Sequence, residues 1–363
     1  MFYDFPAVKP IRHLLIDPEV TEIMINGHGE VFVERGGKMV LDEMKFDSDD
    51  QVRMLIDRLV EPTGRSISTA APFVDFRLPD GARANAVVPP VAVGGPALTI
   101  RKFTGALTRV KHLIERRTLS RRMAELLCAA VRARLNIIFS GATGTGKTTT
   151  LSILSSAIAE SERVITIEDT AELDLKGKKN VVSLQARPPN AEGKGEIVLS
   201  QLVRNALRMR PTRIIMGEIR GDEAVDMLNA IATGHDGCLA VIHASSPLDA
   251  VSRLEMMSLS RGLLLPLWAI HKQIASAIDL IVQHEMLGDG TRRITHVTQV
   301  CGVQDEQIAL HDIFEYRRRG RDADGREVGQ WMCNGVEGDF LTRFEKFGLT
   351  IPARVLEVGP EPA

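Results

Sequence analysis

Aromatic residues are scarce, at 4% of the 363 residues, which leaves little material for platforms on which nucleic-acid bases stack. Charge of one sign is also missing: 45 Lys and Arg stand against 47 Asp and Glu, a sum of −2, so no global basic field invites nucleic acid. The four cysteines, Cys128, Cys238, Cys301 and Cys333, form no C-x-x-C pair. That argues against a zinc site or redox dithiol and reads as reduced thiols in a cytosolic protein. No uncharged apolar run approaches the ~20 residues of a membrane helix; the most apolar stretch, 262–270, is broken by Pro266. Residues 1–10 lack the charged-then-apolar pattern of a signal peptide. Work at a membrane would therefore need a membrane partner.

What remains is an ordinary globular composition, 44% hydrophobic and 25% charged, on a chain long enough for two domains. Residues 1–103 read as a small α/β domain. Short strands are predicted at 22–26 and 29–35, with Gly36-Gly37 as a turn. A helix with N-cap candidates at 47–50 carries Val52, Leu55, Ile56, Leu59 and Val60 at helical spacing. Strands at 74–78 and 84–88 are joined by the turn Pro79-Asp80-Gly81, and 98–103 reads as a last strand. Residues 104–116 lack periodicity and read as a linker. From 117 to 315 strands and helices alternate, which predicts a mostly parallel sheet covered by helices. Its helices are a first one from Ser120, then 148–159 and 198–210; its strands are 136–140, 163–167, 213–216, 238–242, 277–285, 292–301 and 307–314. Residues 316–363 read as a charged, poorly patterned tail.

The chemistry begins at Gly141-Ala-Thr-Gly-Thr-Gly146-Lys147-Thr148, which fits G-x-x-x-x-G-K-[ST] at every fixed position. Glycines let backbone N–H groups turn inward around phosphates, and the following helix aims its positive end at the same place. Gly141, Ala142, Thr143, Gly144, Thr145, Gly146, Lys147, Thr148 and Thr149 are thus the candidate nucleotide-binding residues. Lys147 can reach the β- and γ-phosphates, and the Thr148 hydroxyl can ligate Mg²⁺. Hydrolysis also needs one carboxylate to orient water and another to hold Mg²⁺. Two acidic positions end apolar strands, where parallel sheets place ligands: Glu168-Asp169 after Val164-Ile-Thr-Ile, and Glu218 after Ile214-Ile-Met-Gly. His235 and His243 flank a further strand. They read either as capping or core histidines, or as sensors of the γ-phosphate.

Together these residues resemble the hexameric ATPases of type II/IV secretion systems. That family pairs its phosphate loop with an aspartate box, a second acidic motif ending in Gly-Glu and a histidine box. Here they stand as Ile165-Thr-Ile-Glu-Asp-Thr-Ala-Glu172, Arg213-Ile-Ile-Met-Gly-Glu-Ile-Arg-Gly221 and Thr233-Gly-His-Asp-Gly with His243-Ala-Ser-Ser-Pro247. Stretches 74–85, 98–103 and 273–282 resemble the CpaF branch, the Tad-type pilus assembly ATPases. The absence of the four-cysteine zinc element of some type II relatives agrees with that branch. The resemblance implies a sensor-like N-terminal α/β domain linked to a RecA-like core, ATP and Mg²⁺ as ligands, and a homo-hexamer. It also implies a cytoplasmic protein at the inner face of the membrane, on a platform protein, with no direct nucleic-acid partner. Carried over, Glu168 polarises the attacking water, Glu218 supports Mg²⁺ directly or through a water, and His235 and His243 link nucleotide state to motion. Arg77, Arg83 and Arg101 match the family's phosphate-reaching arginines. The readings left beside a Tad-like motor are a conjugation-type secretion ATPase and, from another class, a RecA-like nucleic-acid motor.

Overall fold

The computed structural model describes residues 8–102, 109–175, 177–190, 193–262 and 265–362. Phe103, the first five residues of the expected linker (104–108) and the first seven residues of the chain lie outside them. The chain divides into two compact units, one up to Ala106 and one from Leu107.

The first unit contains helix α1 (Arg12–Ile16) and strands β1 (Val20–Asn26), β2 (Glu30–Arg35) and β3 (Lys38–Leu41). Helix α2 (Asp49–Val60) follows, then β4 (Phe73–Arg77), β5 (Arg83–Val87) and β6 (Ala97–Arg101). The strands form one antiparallel sheet in the order β3-β2-β1-β6-β5-β4. Alternation decides which face is buried: Ile23, Ile25, Ala84, Ala86, Leu98 and Ile100 join one core with Val52, Leu55, Ile56, Leu59 and Val60 of α2. Ser48 caps α2, its hydroxyl accepting from the Gln51 N–H. The opposite sheet face mixes polar side chains such as Glu22, Asn85 and Thr99 with apolar ones such as Met24, Phe32 and Phe73. Strand β3 escaped the sequence pattern because all four of its residues are exposed. An edge strand held by backbone pairing to β2 has no apolar alternation to read.

In the second unit the order is α3 (Val110–Glu115), α4 (Arg121–Arg132), β7 (Ile137–Gly141), α5 (Lys147–Leu154), β8 (Val164–Glu168), β9 (Val181–Gln185), α6 (Leu199–Ala206), β10 (Arg213–Ile219), α7 (Glu223–Ala232), β11 (Leu239–Ile242), α8 (Pro247–Ser260), α9 (Leu267–Ala277), β12 (Leu280–Met286), β13 (Arg292–Gln304), β14 (Gln307–Arg321), β15 (Glu327–Cys333), α10 (Thr342–Glu345) and β16 (Gly359–Pro362). All ten strands join one sheet, β16-β15-β14-β13-β12-β7-β11-β10-β8-β9. The stretch from β12 to β9 is parallel, and from β13 to β16 it is antiparallel. The parallel strands other than β9 are buried on both faces, so they read as apolar runs, whereas the edge strand β9 has no fully buried residue and gave no such signal. On one face α4 and α5 pack over Ile137, Phe139, Val241 and Val282. On the other, α6 to α9 cover Ile138, Ile165, Met216 and Ile281.

Three expectations need correction. The linker read over 104–116 holds α3, whose Leu113 is buried. The strand read from 277 begins at Leu280, because Ala277 ends α9. The largest correction concerns the tail. Strand β14 continues through Arg317 to Arg321, and β15 and β16 extend the sheet. Trp331 is fully buried and its indole N–H donates to the Ile294 carbonyl at 2.7 Å. Arginines of the stretch read as a charged, poorly patterned tail are strand side chains paired with carboxylates: Arg317 with Glu315, Arg318 with Glu285 and Arg321 with Glu327.

Candidate functional site

Strand β7, between β12 and β11, delivers the phosphate loop, and α5 begins at Lys147. Gly141 has φ +149°, and a Cβ there would lie 2.5 Å from the His284 carbonyl oxygen and 2.8 Å from Thr145 Oγ1. Only glycine lets β12 press this closely on the start of the loop. Lys147 is buried, and its Nζ donates to the carbonyls of Gly141 at 2.9 Å and Ala142 at 2.7 Å. The ammonium therefore lies inside the loop, where a polyphosphate would compete with those carbonyls for it. Thr145 Oγ1 donates to the Ala142 carbonyl at 2.8 Å, closing the loop on itself. Thr148 and Thr149 follow Lys147 in the first turn of α5.

Glu168 ends β8 at 3% exposure, so it is no solvated loop carboxylate. Its Oε1 accepts from the backbone N–H groups of Glu172, at 2.8 Å, and Leu173, at 3.0 Å. Its side chain crosses the neighbouring strand β10 over Gly217, where a Cβ would stand 2.6 Å from Glu168 Cγ. The glycine of the Gly-Glu motif is thus the floor under the carboxylate of the aspartate box.

Glu218 is next along β10 and half-buried. Its Oε1 lies 3.1 Å from His243 Nε2, and its Oε2 accepts from Arg220 Nη2 at 2.6 Å. His243 follows β11 and its Nδ1 lies 3.5 Å from Thr143 Oγ1 in the phosphate loop. Arg220 Nη1 stands 3.9 Å from Asp169. A continuous polar chain, Thr143–His243–Glu218–Arg220–Asp169, therefore connects the loop to the aspartate box. Burial, then the positive charge of Lys147, hold His243 below its usual 6.5, against the opposing pull of Glu218. The neutral ring donates from Nε2 to the carboxylate and offers Nδ1 to the Thr143 hydroxyl. The Glu218 hydrogen bond is the first cause of a raised Arg220 pKa.

His235 does not join this chain. It precedes β11 whereas His243 follows it, and its Nδ1 lies 3.2 Å from the Ala230 carbonyl and 3.4 Å from Thr233 Oγ1 at the end of α7. The capping alternative describes its place.

In the first unit, Arg77 pairs in register with Arg83, and Arg83 with Arg101. Cross-strand partners share a face, so the three guanidinium groups form one row on the sheet face turned away from that unit's core. Arg101 continues the row to Glu22, at 3.4 Å, and Arg77 Nε donates to the Gly81 carbonyl at 3.1 Å. Like charges set side by side repel, and an anion laid across them relieves that repulsion.

Sequence reasoning missed three contributors. Arg220 follows the Gly-Glu pair and would have been found by its two-residue spacing from Glu218. His284 and Arg292 approach the loop from β12 and β13, and no local signal announces them. His284 is buried beside Phe139. Burial first, then the charge of Lys147, push its pKa down to about 3, against a small opposing effect of the Thr145 backbone.

Residues 7–320 match the family model of the type II/IV secretion system proteins, and the chain belongs to that family. A putative conjugal transfer protein of Mycobacterium tuberculosis is 33% identical over 329 residues, covering 85% of this chain and 93% of that protein. VirB11 of Agrobacterium fabrum is 31% identical over 312 residues, covering 78% and 89%. Among solved structures, the pilus retraction motor PilT with bound ADP aligns at a TM-score of 0.56 and 19% identity, covering 93% of this chain and 86% of that one. The Legionella pneumophila ATPase DotB aligns at 0.51 and 23%, covering 80% and 79%. The fold is accordingly that of the secretion ATPases, an N-terminal α/β domain joined to a RecA-like P-loop core. Among the described residues no helix is long and apolar enough to cross a membrane.

Proposed function

We propose that this protein is a Mg²⁺-dependent ATPase that works as a homo-hexameric ring and drives a membrane-embedded secretion machine of the conjugation type. The observation that carries the reading is the polar chain from Thr143 through His243 and Glu218 to Asp169, which ties the phosphate loop to both acidic motifs. Lys147 binds the β- and γ-phosphates in place of the Gly141 and Ala142 carbonyls. Glu168, fixed by two backbone N–H groups, orients the attacking water. Thr148 and Glu218 would offer hydroxyl and carboxylate oxygens, the kind of donor Mg²⁺ takes. The metal would neutralise charge on the phosphates. His243 senses loop occupancy through Thr143. Arg77, Arg83 and Arg101 supply positive charge to a polyphosphate brought against their sheet face, stabilising the charge that phosphoryl transfer spreads.

The relatives' names favour conjugal transfer as the machine. The CpaF-like stretches at 74–85, 98–103 and 273–282 support a second reading, assembly or retraction of a Tad-like pilus against an inner-membrane platform protein. A Lys147→Ala allele in the source cell separates the two. The first reading predicts lost DNA transfer between cells with surface pili intact; the second predicts lost pili. A nucleic-acid motor would instead reveal itself by ATP turnover that rises strongly on adding DNA, which neither reading predicts.

A further inference from the structure

The turn between β12 and β13 reaches the apex of the phosphate loop. Arg292, the first residue of β13, donates from Nε to the Gly144 carbonyl at 2.7 Å, across 148 positions of sequence. Its Cδ lies 3.6 Å from where a Cβ on Gly146 would stand, so the stem packs along the loop's outer edge. The turn beneath it is well braced. Asp289 Oδ1 accepts from the Thr291 hydroxyl at 2.6 Å and from its N–H at 2.9 Å. Asp289 Oδ2 accepts from the Glu327 N–H of β15 at 2.9 Å. The Leu287 N–H donates to the Thr291 carbonyl at 2.8 Å. Arg292 is therefore an exposed side chain on a rigid base, and its one hydrogen bond among the described residues goes to the loop.

We propose that Arg292 is a positioning residue for nucleotide binding, one that holds the Gly144–Thr145 peptide in its phosphate-accepting orientation. The proposal rests on the ATPase reading above and adds a residue to it. A trans peptide sends its C=O and its N–H to opposite sides. Anchoring the Gly144 oxygen outward on Arg292 thus turns the Thr145 N–H away from Arg292, into the loop. A loop this rich in glycine has many conformations to lose on binding an anion. A fixed external donor removes part of that loss before the nucleotide arrives, so its effect falls on binding and not on the chemical step.

The test compares Arg292→Ala and Arg292→Lys in the full chain, with Arg318→Ala as a control. Arg318 pairs with Glu285 on the same sheet extension but has no bond to the loop. Labelled-ADP affinity, KM and kcat for ATP, and the melting temperature are measured. Arg292→Ala is expected to weaken ADP binding and raise KM by about tenfold, with kcat and melting temperature close to wild type. Arg292→Lys is expected to recover most of the loss, because an ammonium donates to the same carbonyl. Arg318→Ala is expected to match wild type. Unchanged affinity and KM in Arg292→Ala overturn the proposal, as does a loss confined to kcat, an unrescued lysine variant or an equal loss in Arg318→Ala. A wild-type chain that binds no labelled ADP overturns both the proposal and the ATPase reading, which separates that failure from the others.

Discussion

His243 Nε2 lies 3.1 Å from Glu218 Oε1, and the two residues close adjacent parallel strands at the mouth of the phosphate loop. Groups in direct contact do not contribute independently. His243→Ala and Glu218→Ala are each expected to lower kcat/KM, and the double variant to lose clearly less than the product of the two losses. A double-mutant cycle reads this directly, and full additivity would uncouple the pair.

Glu168→Gln keeps an oxygen that can accept from Glu172 and Leu173 but removes the base. Turnover is expected to fall by roughly 10²–10⁴-fold, while nucleotide affinity and melting temperature stay near wild type. Steady-state phosphate release beside equilibrium binding checks it. Near-normal turnover would take the water-orienting role from this residue.

Gly217→Ala places a methyl group where Glu168 Cγ now passes, at 2.6 Å. The carboxylate must move, and a displacement of ~1 Å in a catalytic group costs on the order of 10²-fold. The variant is expected to bind ADP and fail in turnover, so that a side-chain-free position reproduces the defect of Glu168→Gln.

His284 connects the site to stability. Its folded pKa, about 3, lies below the usual 6.5, so the unfolded chain binds the extra proton between those values. The stabilisation is whole above pH 6.5 and is lost as pH falls toward 3, at up to ~1.4 kcal/mol per pH unit for this one group. His284→Leu is expected to flatten this part of the acid limb in denaturant titrations at several pH values. An acid limb of unchanged slope would contradict the buried neutral ring.

Trp331→Ala is expected to lower stability by ~3–5 kcal/mol, since it empties a fully buried site and strips the Ile294 carbonyl of its donor. Removing residues 317–363 is expected to yield insoluble protein, whereas a dispensable tail would leave a soluble, cooperative unit.

The last case marks where sequence patterns stop. The phosphate loop, the parallel strands (β9 apart) and α2 were legible because each carries a local signature: a fixed glycine spacing, an apolar run, a helical period. The exposed edge strand β3 had none. The second half of β14 and all of β15 were hidden because strand arginines paired with carboxylates look, in one dimension, like a charged run without pattern. Glu168, Glu218 and His243 were readable as strand-end residues, and His235 was separated from them only by three-dimensional placement. Arg292 and His284 could not be read, since their relation to the loop exists only through the pairing of β12 with β7 and β13.

The central claim is that ATP is cleaved at the loop holding Lys147. Phosphate release from the purified chain with Mg²⁺ and ATP, measured beside Lys147→Ala at equal protein concentration, tests it most directly. The account predicts steady release by the wild type and background release by the variant. Equal rates in the two, or no release by the wild type, would contradict it.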